Sequence, residues 1–420
     1  MTRMVRACIL TSSDSSGGAA RAAMRVGAAL QDAGVEIEAL VDIKRTSRAW
    51  VSGPPGAVGA VAGMIRRRVE RGITKLQTPV DAYDRSFNIL RTCKAQKINN
   101  GACDIVNIHW IGNGFISIKD ISRIRRPVVW TLHDMWTFCG AEHYAPDDAS
   151  ARWRLGYPSG SRASGSSGLD LDALVWRIKQ KTWKKRYHVV VPSRWLADCV
   201  RGSALMQDWP VTVIPNPIDM ASFQPVHKAS ARKFFGLPLE APLITFGSFG
   251  GTADVRKGFD LLLCALARLA GKLPAAEGVV FGQSKPEAFP GFPMKLHWLG
   301  HLGDESALAK VYSAADVMVV PSRLENLPQA ATEAQACGCP VVAFSVGGIP
   351  DTICDGVTGL LAKPFDVEDL SSAIFKLLTD SDLRSAFGVA ARERAMRLWG
   401  HNEIARQYLD VFRQAMHEAR

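Results

Sequence analysis

Glu325-Asn-Leu-Pro-Gln-Ala-Ala-Thr-Glu333 decides the reading of this chain. The apolar run that enters it, Ala315-Asp-Val-Met-Val-Val-Pro321, reads as a buried strand. From Pro328 to Cys337 the composition is helical, with the proline suited to a first turn and Gly338 placed to stop the helix. Glu325 therefore falls in the loop at the mouth of a strand-to-helix turn, and Glu333 lies about one turn into the helix. Unpaired N–H groups and the positive end of the helix dipole make such a mouth a phosphate site. A carboxylate there repels phosphate unless it faces hydroxyls. Two glutamates therefore point to a ligand that joins phosphate to sugar.

Downstream, Gly338-Cys-Pro-Val-Val-Ala-Phe344, Val346-Gly-Gly-Ile-Pro-Asp351 and Asp355-Gly-Val-Thr-Gly359 read as strand, glycine turn and tight hairpin. Two glutamates near one helix are common by themselves. With these flanking segments, in this order and spacing, they resemble the retaining glycosyltransferases of family 4, the group 1 transferases that use nucleotide sugars. The resemblance implies an α/β chain of GT-B fold, with two Rossmann-like, doubly wound domains facing across a cleft and a C-terminal helix crossing back to the first. It implies an acceptor-binding domain over 1–213, joined by the crossing helix 400–420, and a nucleotide-sugar-binding domain over 214–399.

Size and composition agree with this. A chain of 420 residues exceeds one ordinary core, and 47% apolar residues argue against disorder. No apolar run approaches the ~18 residues that span a bilayer. Ala7 to Leu10 is too short for a signal h-region, so a cytoplasmic protein is expected. Nine scattered cysteines read as free thiols, and Cys337-Gly-Cys339 as packing rather than metal binding. Residues 1–213 carry 31 Lys and Arg against 18 Asp and Glu, whereas 214–420 carry 20 against 22. The basic excess concentrates in Arg66-Arg-Arg-Val-Glu-Arg71 and Arg177-Ile-Lys-Gln-Lys-Thr-Trp-Lys-Lys-Arg186. Such stretches lie on an anionic membrane surface, hold nucleic acid, or merely solvate a helix face. Resemblance to enzymes that work on lipid-carried acceptors favours the first, with no nucleic-acid partner.

The first half alternates strands and helices. Arg6-Ala-Cys-Ile-Leu10 reads as a strand, followed by a polar turn and an alanine-rich helix that begins near Gly17 and Gly18. Those glycines either let backbone approach an acceptor or donor phosphate, or simply form a tight turn. They are not a dinucleotide fingerprint, since the three-glycine spacing is missing. Residues 44–100 resist reading, and an insertion or mobile flap is expected there. Asp104-Ile-Val-Asn-Ile-His109-Trp110 and Pro127-Val-Val-Trp-Thr-Leu132 read as strands that deliver His109 and His133 at their carboxyl ends, where open α/β sheets bind ligands. Thr131-Leu-His-Asp-Met-Trp-Thr-Phe138 is similar to a polysaccharide-making subgroup of family 4, which implies that His133 contacts the transferred sugar. The serine- and glycine-rich run 156–168 reads as a flexible loop able to close over an acceptor.

In the second half, Leu243-Ile-Thr-Phe-Gly-Ser-Phe249 reads as a strand and Gly250 to Gly258 as the loop that carries Arg256 and Lys257. Adjacent cations at a helix start suit a diphosphate. The family places its arginine some residues before a Lys-Gly pair, whereas Arg256 directly precedes Lys257, so the carry-over is firmer for Lys257. By the same resemblance Gly300 and Leu302 lie where main-chain groups meet the nucleotide base. Backbone contacts leave little trace in side chains, and the base stays unread. Glu333 would hold the ribose hydroxyls and Glu325 the sugar. Arg256, Lys257 and the N–H groups of Asn326 and Leu327 would stabilise the leaving diphosphate with no metal or other cofactor. Relatives have Gly-Phe-Gly where this chain has Asn326-Leu-Pro328, and the proline removes one N–H. A GT-B epimerase or phosphorylase shares the fold. A non-catalytic module has no need of Lys257, Glu325 and Glu333 together.

Overall fold

The computed structural model describes residues 4–247, 254–287, 289 and 291–419. The expected loop from Gly250 therefore lies outside the described residues as far as 253. The chain divides into two compact units, one of residues 1–215 with 404–420 and the other of 216–403.

The first unit holds β1 (Arg6–Leu10), β2 (Glu36–Leu40), β3 (Val51–Ser52), β4 (Gln77–Thr78), β5 (Ile105–Ile108), β6 (Val128–Thr131), β7 (Ser167–Gly168), β8 (His188–Val191) and β9 (Val211–Val213). Seven of these form a parallel sheet in the order β3-β2-β1-β5-β6-β8-β9, while β4 and β7 pair separately and antiparallel. The second unit holds β10 (Leu243–Gly247), β11 (Glu277–Phe281), β12 (Leu296–Trp298), β13 (Val317–Val320), β14 (Val341–Phe344) and β15 (Gly359–Ala362). Its parallel order is β12-β11-β10-β13-β14-β15. Each order reverses beside its first strand, at β1/β5 and at β10/β13. These are the two switch points where a doubly wound sheet opens a crevice at its strand ends.

Both faces of the second sheet are covered, which explains its continuous apolar strands. Val317 and Val319 belong to one core cluster and Met318 and Val320 to the other, and β10, β11 and β14 alternate likewise. In the first unit Ile9, Ile105, Val129 and Val190 share a cluster with Tyr408, Val411 and Phe412 of the last helix, His401–Glu418. That helix leaves the second unit at Glu403 and is tied to the first by Tyr408 Oη to Thr131 Oγ1 (3.1 Å) and Glu418 to His188 Nε2 (2.7 Å).

The two basic stretches do not behave as simple solvated faces. A helix spans Gly56–Thr74, taking in part of the Gly/Pro/Ala stretch as well as the basic run, and it turns part of its charge inward. Arg66 and Arg67 point to Asp42, and Glu70 accepts from the Phe87 N–H at 2.7 Å. Val58, Val61, Ile65 and Val69, spaced as one helical stripe, face outward, with Arg68 and Arg71 also exposed. In the helix Leu171–Thr182, Lys179 is fully buried, and its ammonium donates to the carbonyls of Trp136, Cys139 (3.1 Å) and Gly140 (2.7 Å). The serine- and glycine-rich run is pinned at its end, where Gln77–Thr78 pairs with Ser167–Gly168 and Arg162 donates to the carbonyls of both. All nine cysteines are free thiols, and Cys337 and Cys339 pack in the second core. Among the described residues no helix is long and apolar enough to cross a membrane.

Candidate active site

At the first switch point, β5 and β6 run side by side in register, Ile108 opposite Trp130. His109 follows the first strand by one residue and His133 follows the second by two, so the pairing alone brings the two rings together. The ring planes lie 21° apart with centroids separated by 5.2 Å, and the rings meet edge to edge, His109 Nδ1 3.0 Å from His133 Nε2. Behind them, His109 Nε2 meets Asn107 Oδ1 at 2.8 Å. The next residue, Asp134, accepts from Trp110 Nε1 (2.8 Å), His143 Nδ1 (2.6 Å) and the Trp136 N–H (3.0 Å). His143 Nε2 in turn faces Ser86 Oγ at 2.8 Å. A small pocket lies here, lined by His109, Trp110, His133, Asp134, Trp136 and His143 among others.

Burial sets the protonation of this group. It holds His109 well below the ordinary imidazole range, with the neighbouring His133 adding to the effect. It also pushes His133 down to about 4 against the opposing charge of Asp134. Burial pushes Asp134 up, but His143, Trp136 and Trp110 outweigh it and keep the carboxyl below its usual range. Both histidines are therefore neutral at pH 7.

The folded state takes up the His133 proton only near pH 4, whereas an unfolded chain takes it up near 6.5. Its contribution is whole above pH 6.5 and is lost as pH falls to about 4, by roughly 3 kcal/mol. Denaturant unfolding at pH 7 and pH 4.5 should show a steeper loss in the native protein than in His133→Gln. Equal losses would place the acid sensitivity elsewhere.

Gly17 opens the helix Gly17–Asp32 with φ +83°, a left-handed backbone that favours glycine, and Gly18 follows as its second residue. A Cβ on Gly17 would meet nothing within 4 Å, so space at this turn is open.

At the second switch point, β13 delivers the loop that carries Glu325, and the helix Gln329–Ala336 follows with Pro328 as its N-cap residue. Lys257 sits in a short 3-10 turn, Val255–Lys257, and its ammonium reaches Glu325 Oε2 at 2.5 Å. The two residues assigned from sequence to the diphosphate and to the sugar thus face each other. Arg256 is oriented by Asp254, with Nη2 2.7 Å from Oδ2, while the Arg256 carbonyl accepts from the Arg323 N–H at 2.7 Å. Glu333, on the fifth residue of the helix, is buried and accepts from Tyr312 Oη at 2.9 Å. Asn326 and Leu327 are buried as well. Gly300 lies beyond β12 with φ +67°, its carbonyl accepting from the Gly282 N–H, and Leu302 packs against the core.

Two glycines fix the backbone of this loop. Gly258 has φ +64°, and a Cβ there would stand 2.0 Å from the Pro321 carbonyl oxygen. Gly347 has φ +53°, and its Cβ would stand 2.3 Å from the carbonyl oxygen of Glu325. Neither position has room for a side chain.

Sequence reading missed Asn107, Ser86, His143, Asp254 and Tyr312. Only His143 carried a local signal, as a histidine in a segment that stays buried to Ala145 without regular structure. Asp254 acts on Arg256 and Asn107 on His109, each two residues away, while Ser86 and Tyr312 act through partners far along the chain.

Comparison with known proteins agrees with this architecture. Residues 16–222 match the model of Glycosyltransferase Family 4, and residues 246–394 match Glycosyl transferases group 1. A D-inositol 3-phosphate glycosyltransferase of Saccharomonospora viridis is 28% identical over 402 residues, which is 90% of this chain and 85% of that protein. Sucrose-phosphate synthase from Thermosynechococcus elongatus superposes with TM-score 0.69 at 21% identity, covering 99% of this chain and 100% of that one. Anabaena Alr3699/HepE in complex with UDP-glucose does so with TM-score 0.63 at 16% identity, over 97% and 99%. These structural likenesses show the GT-B fold. With two family models that share no residues and between them cover most of its length, the chain belongs to the family 4, group 1 glycosyltransferases.

Proposed function

We propose that this enzyme moves a hexosyl group, with retention of configuration, from a nucleotide-diphosphate sugar to a saccharide or lipid-linked acceptor in making a cell-surface polysaccharide or glycolipid. The observation that carries the donor half is the meeting of Lys257 with Glu325 at 2.5 Å, at the end of the sheet that also holds Glu333. In this reading the donor separates the pair. Lys257, with Arg256 beside it, takes the diphosphate, and Glu325 takes sugar hydroxyls. Glu333, oriented by Tyr312, takes the ribose. The bond from the anomeric carbon to the leaving phosphate oxygen breaks, positive charge grows on the sugar, and the cations meet the negative charge left on the diphosphate. An acceptor hydroxyl attacks from the same face and passes its proton to the departing phosphate oxygen. HepE with bound UDP-glucose supports a sugar nucleotide of this kind.

The lipid-linked acceptor is supported by the helix 56–74. An outward stripe of Val58, Val61, Ile65 and Val69 with Arg68 and Arg71 exposed on the same helix suits an anionic bilayer surface. A second acceptor reading, a small phosphorylated polyol, is favoured by the name of the relative from Saccharomonospora viridis. The basic excess of residues 1–213 suits either one.

The test is a thermal-shift panel of UDP-, GDP- and ADP-sugars, run on the native protein, Lys257→Ala and Glu333→Ala. One nucleotide class at about 100 times its Kd should add roughly 2.7 kcal/mol to the native protein and little to either variant. Product assays with that donor, supplied with inositol phosphate or with lipid-linked saccharide, then separate the acceptors. A panel that shifts nothing at millimolar concentration would remove the donor site.

A further inference from the structure

The hydrogen-bond chain behind His133 has a direction, and that direction follows from one carbonyl. Asn107 Nδ2 lies 3.1 Å from the Val129 carbonyl oxygen and 3.0 Å from Thr131 Oγ1. A carbonyl only accepts, so the amide must turn its NH2 toward Val129 and its oxygen toward His109. Asn107 Oδ1 accepts as well, so His109 Nε2, 2.8 Å away, must carry a proton. Burial keeps His109 neutral, which leaves its Nδ1 as a lone pair. The remaining contact, Nδ1 to His133 Nε2 at 3.0 Å, then has one donor available, and it belongs to His133. Thr131 Oγ1 accepts from Asn107 and pairs with Tyr408 Oη at 3.1 Å, which anchors the far end in the last helix.

We infer that His109 is a positioning residue which, directed by Asn107, fixes His133 as the Nε2–H tautomer, so that His133 Nδ1 accepts hydrogen bonds and cannot donate them. The inference rests on the reading of His133 as a contact of the transferred sugar. In that role it takes a hydrogen bond from a sugar hydroxyl and supplies no proton. The acidic group next to His133 is Asp134, whose carboxylate is shared with His143 and Trp110. Asp134 does not enter the chain of protons through His109.

Asn107→Asp reverses the direction with almost no change of shape. An aspartate beside His109 Nε2 favours a second proton on that ring, at Nδ1, which must then donate to His133 Nε2. His133 is driven to its other tautomer while both rings stay in place.

The experiment is 15N NMR of the ligand-free protein labelled at histidine, at pH 7, where an N–H···N bond reveals itself by coupling between the two nitrogens. The proton between His109 and His133 should belong to His133. A proton found on His109 Nδ1 overturns the inference, and this measurement needs no variant to fold. In Asn107→Asp the proton should move to His109. Transfer should then fall at least tenfold in kcat with donor KM little changed, and activity should recover as pH rises and His109 sheds its second proton. A variant with the reversed proton and native kcat at every pH would also overturn the positioning role. The NMR result does not depend on turnover. An inactive native protein would count against the proposed reaction and leave the tautomer as measured.

Discussion

Lys257→Ala should lower kcat for glycosyl transfer by about two to three orders of magnitude, the usual cost of removing one group aimed at developing negative charge. The ammonium sits in a short turn that Asp254 caps and Gly258 closes against Pro321. Its present partner, Glu325, is mostly shielded from solvent, with a side chain 12% exposed. Removing Lys257 therefore does two things. In the proposed reaction it strips the diphosphate of a positive charge, and it leaves Glu325 without its cationic partner. Donor KM should rise together with the fall in kcat. Lys257→Arg should recover only part of the loss, because a planar fork does not fill the place of a compact ammonium. Steady-state release of free nucleotide measures both constants. Native turnover in Lys257→Ala would remove this residue from the chemistry and weaken the case for the pair.

Lys179→Met should destabilise the first domain by roughly 3 kcal/mol and lower its melting temperature by on the order of 10 °C. The ammonium holds three carbonyls, those of Trp136, Cys139 and Gly140, and lies over the Trp136 ring. Methionine fills similar volume but leaves all three oxygens without that donor, each worth about 1 kcal/mol or more when buried. Burial also brings the Lys179 pKa down to about 7 from an ordinary 10.5. Between those values the unfolded chain holds more protons than the folded one, so stability conferred at this site rises as pH increases from 7 toward 10. That slope should disappear in Lys179→Met. Calorimetry at pH 7 and pH 9.5 on both proteins reads the two effects together. A variant that melts like the native protein would show that the segment 134–145 is held by its packed tryptophans alone.

Most of the fold was legible because parallel strands buried on both faces read as unbroken apolar runs, as in Val317–Val320 and Val341–Phe344. Glu325, Glu333 and Lys257 were legible for a related reason. Gly258 directly follows Lys257, and Pro328 stands between Glu325 and Glu333, so the strand-to-helix turns that carry them follow from local pattern. What failed was the reading of charge along the chain. Lys179 falls within a run of cations, yet its helix turns it inward with Val175 and Trp176 while Lys181 stays exposed. Arg66 and Arg67 were grouped with Arg68 and Arg71, but Asp42, 24 residues earlier, draws the first two inside. No linear window contains that aspartate. The tie of Glu333 to Tyr312 spans 21 residues and that of His143 to Ser86 spans 57. Such pairs become visible only when strand order is known.

The two glycines that press on the Glu325 loop bear on how this enzyme can be altered. Gly258 and Gly347 touch that loop through its carbonyls, at Pro321 and at Glu325, so the path of the main chain is set from both sides by atoms no codon can change. A library meant to change donor preference should leave both positions fixed. It should spend its diversity on Arg323, Asn326 and Leu327, which the same loop carries. The same two positions give a quick filter for inactive copies among related genomes, because a bulkier residue at either one displaces the loop before any catalytic side chain is lost.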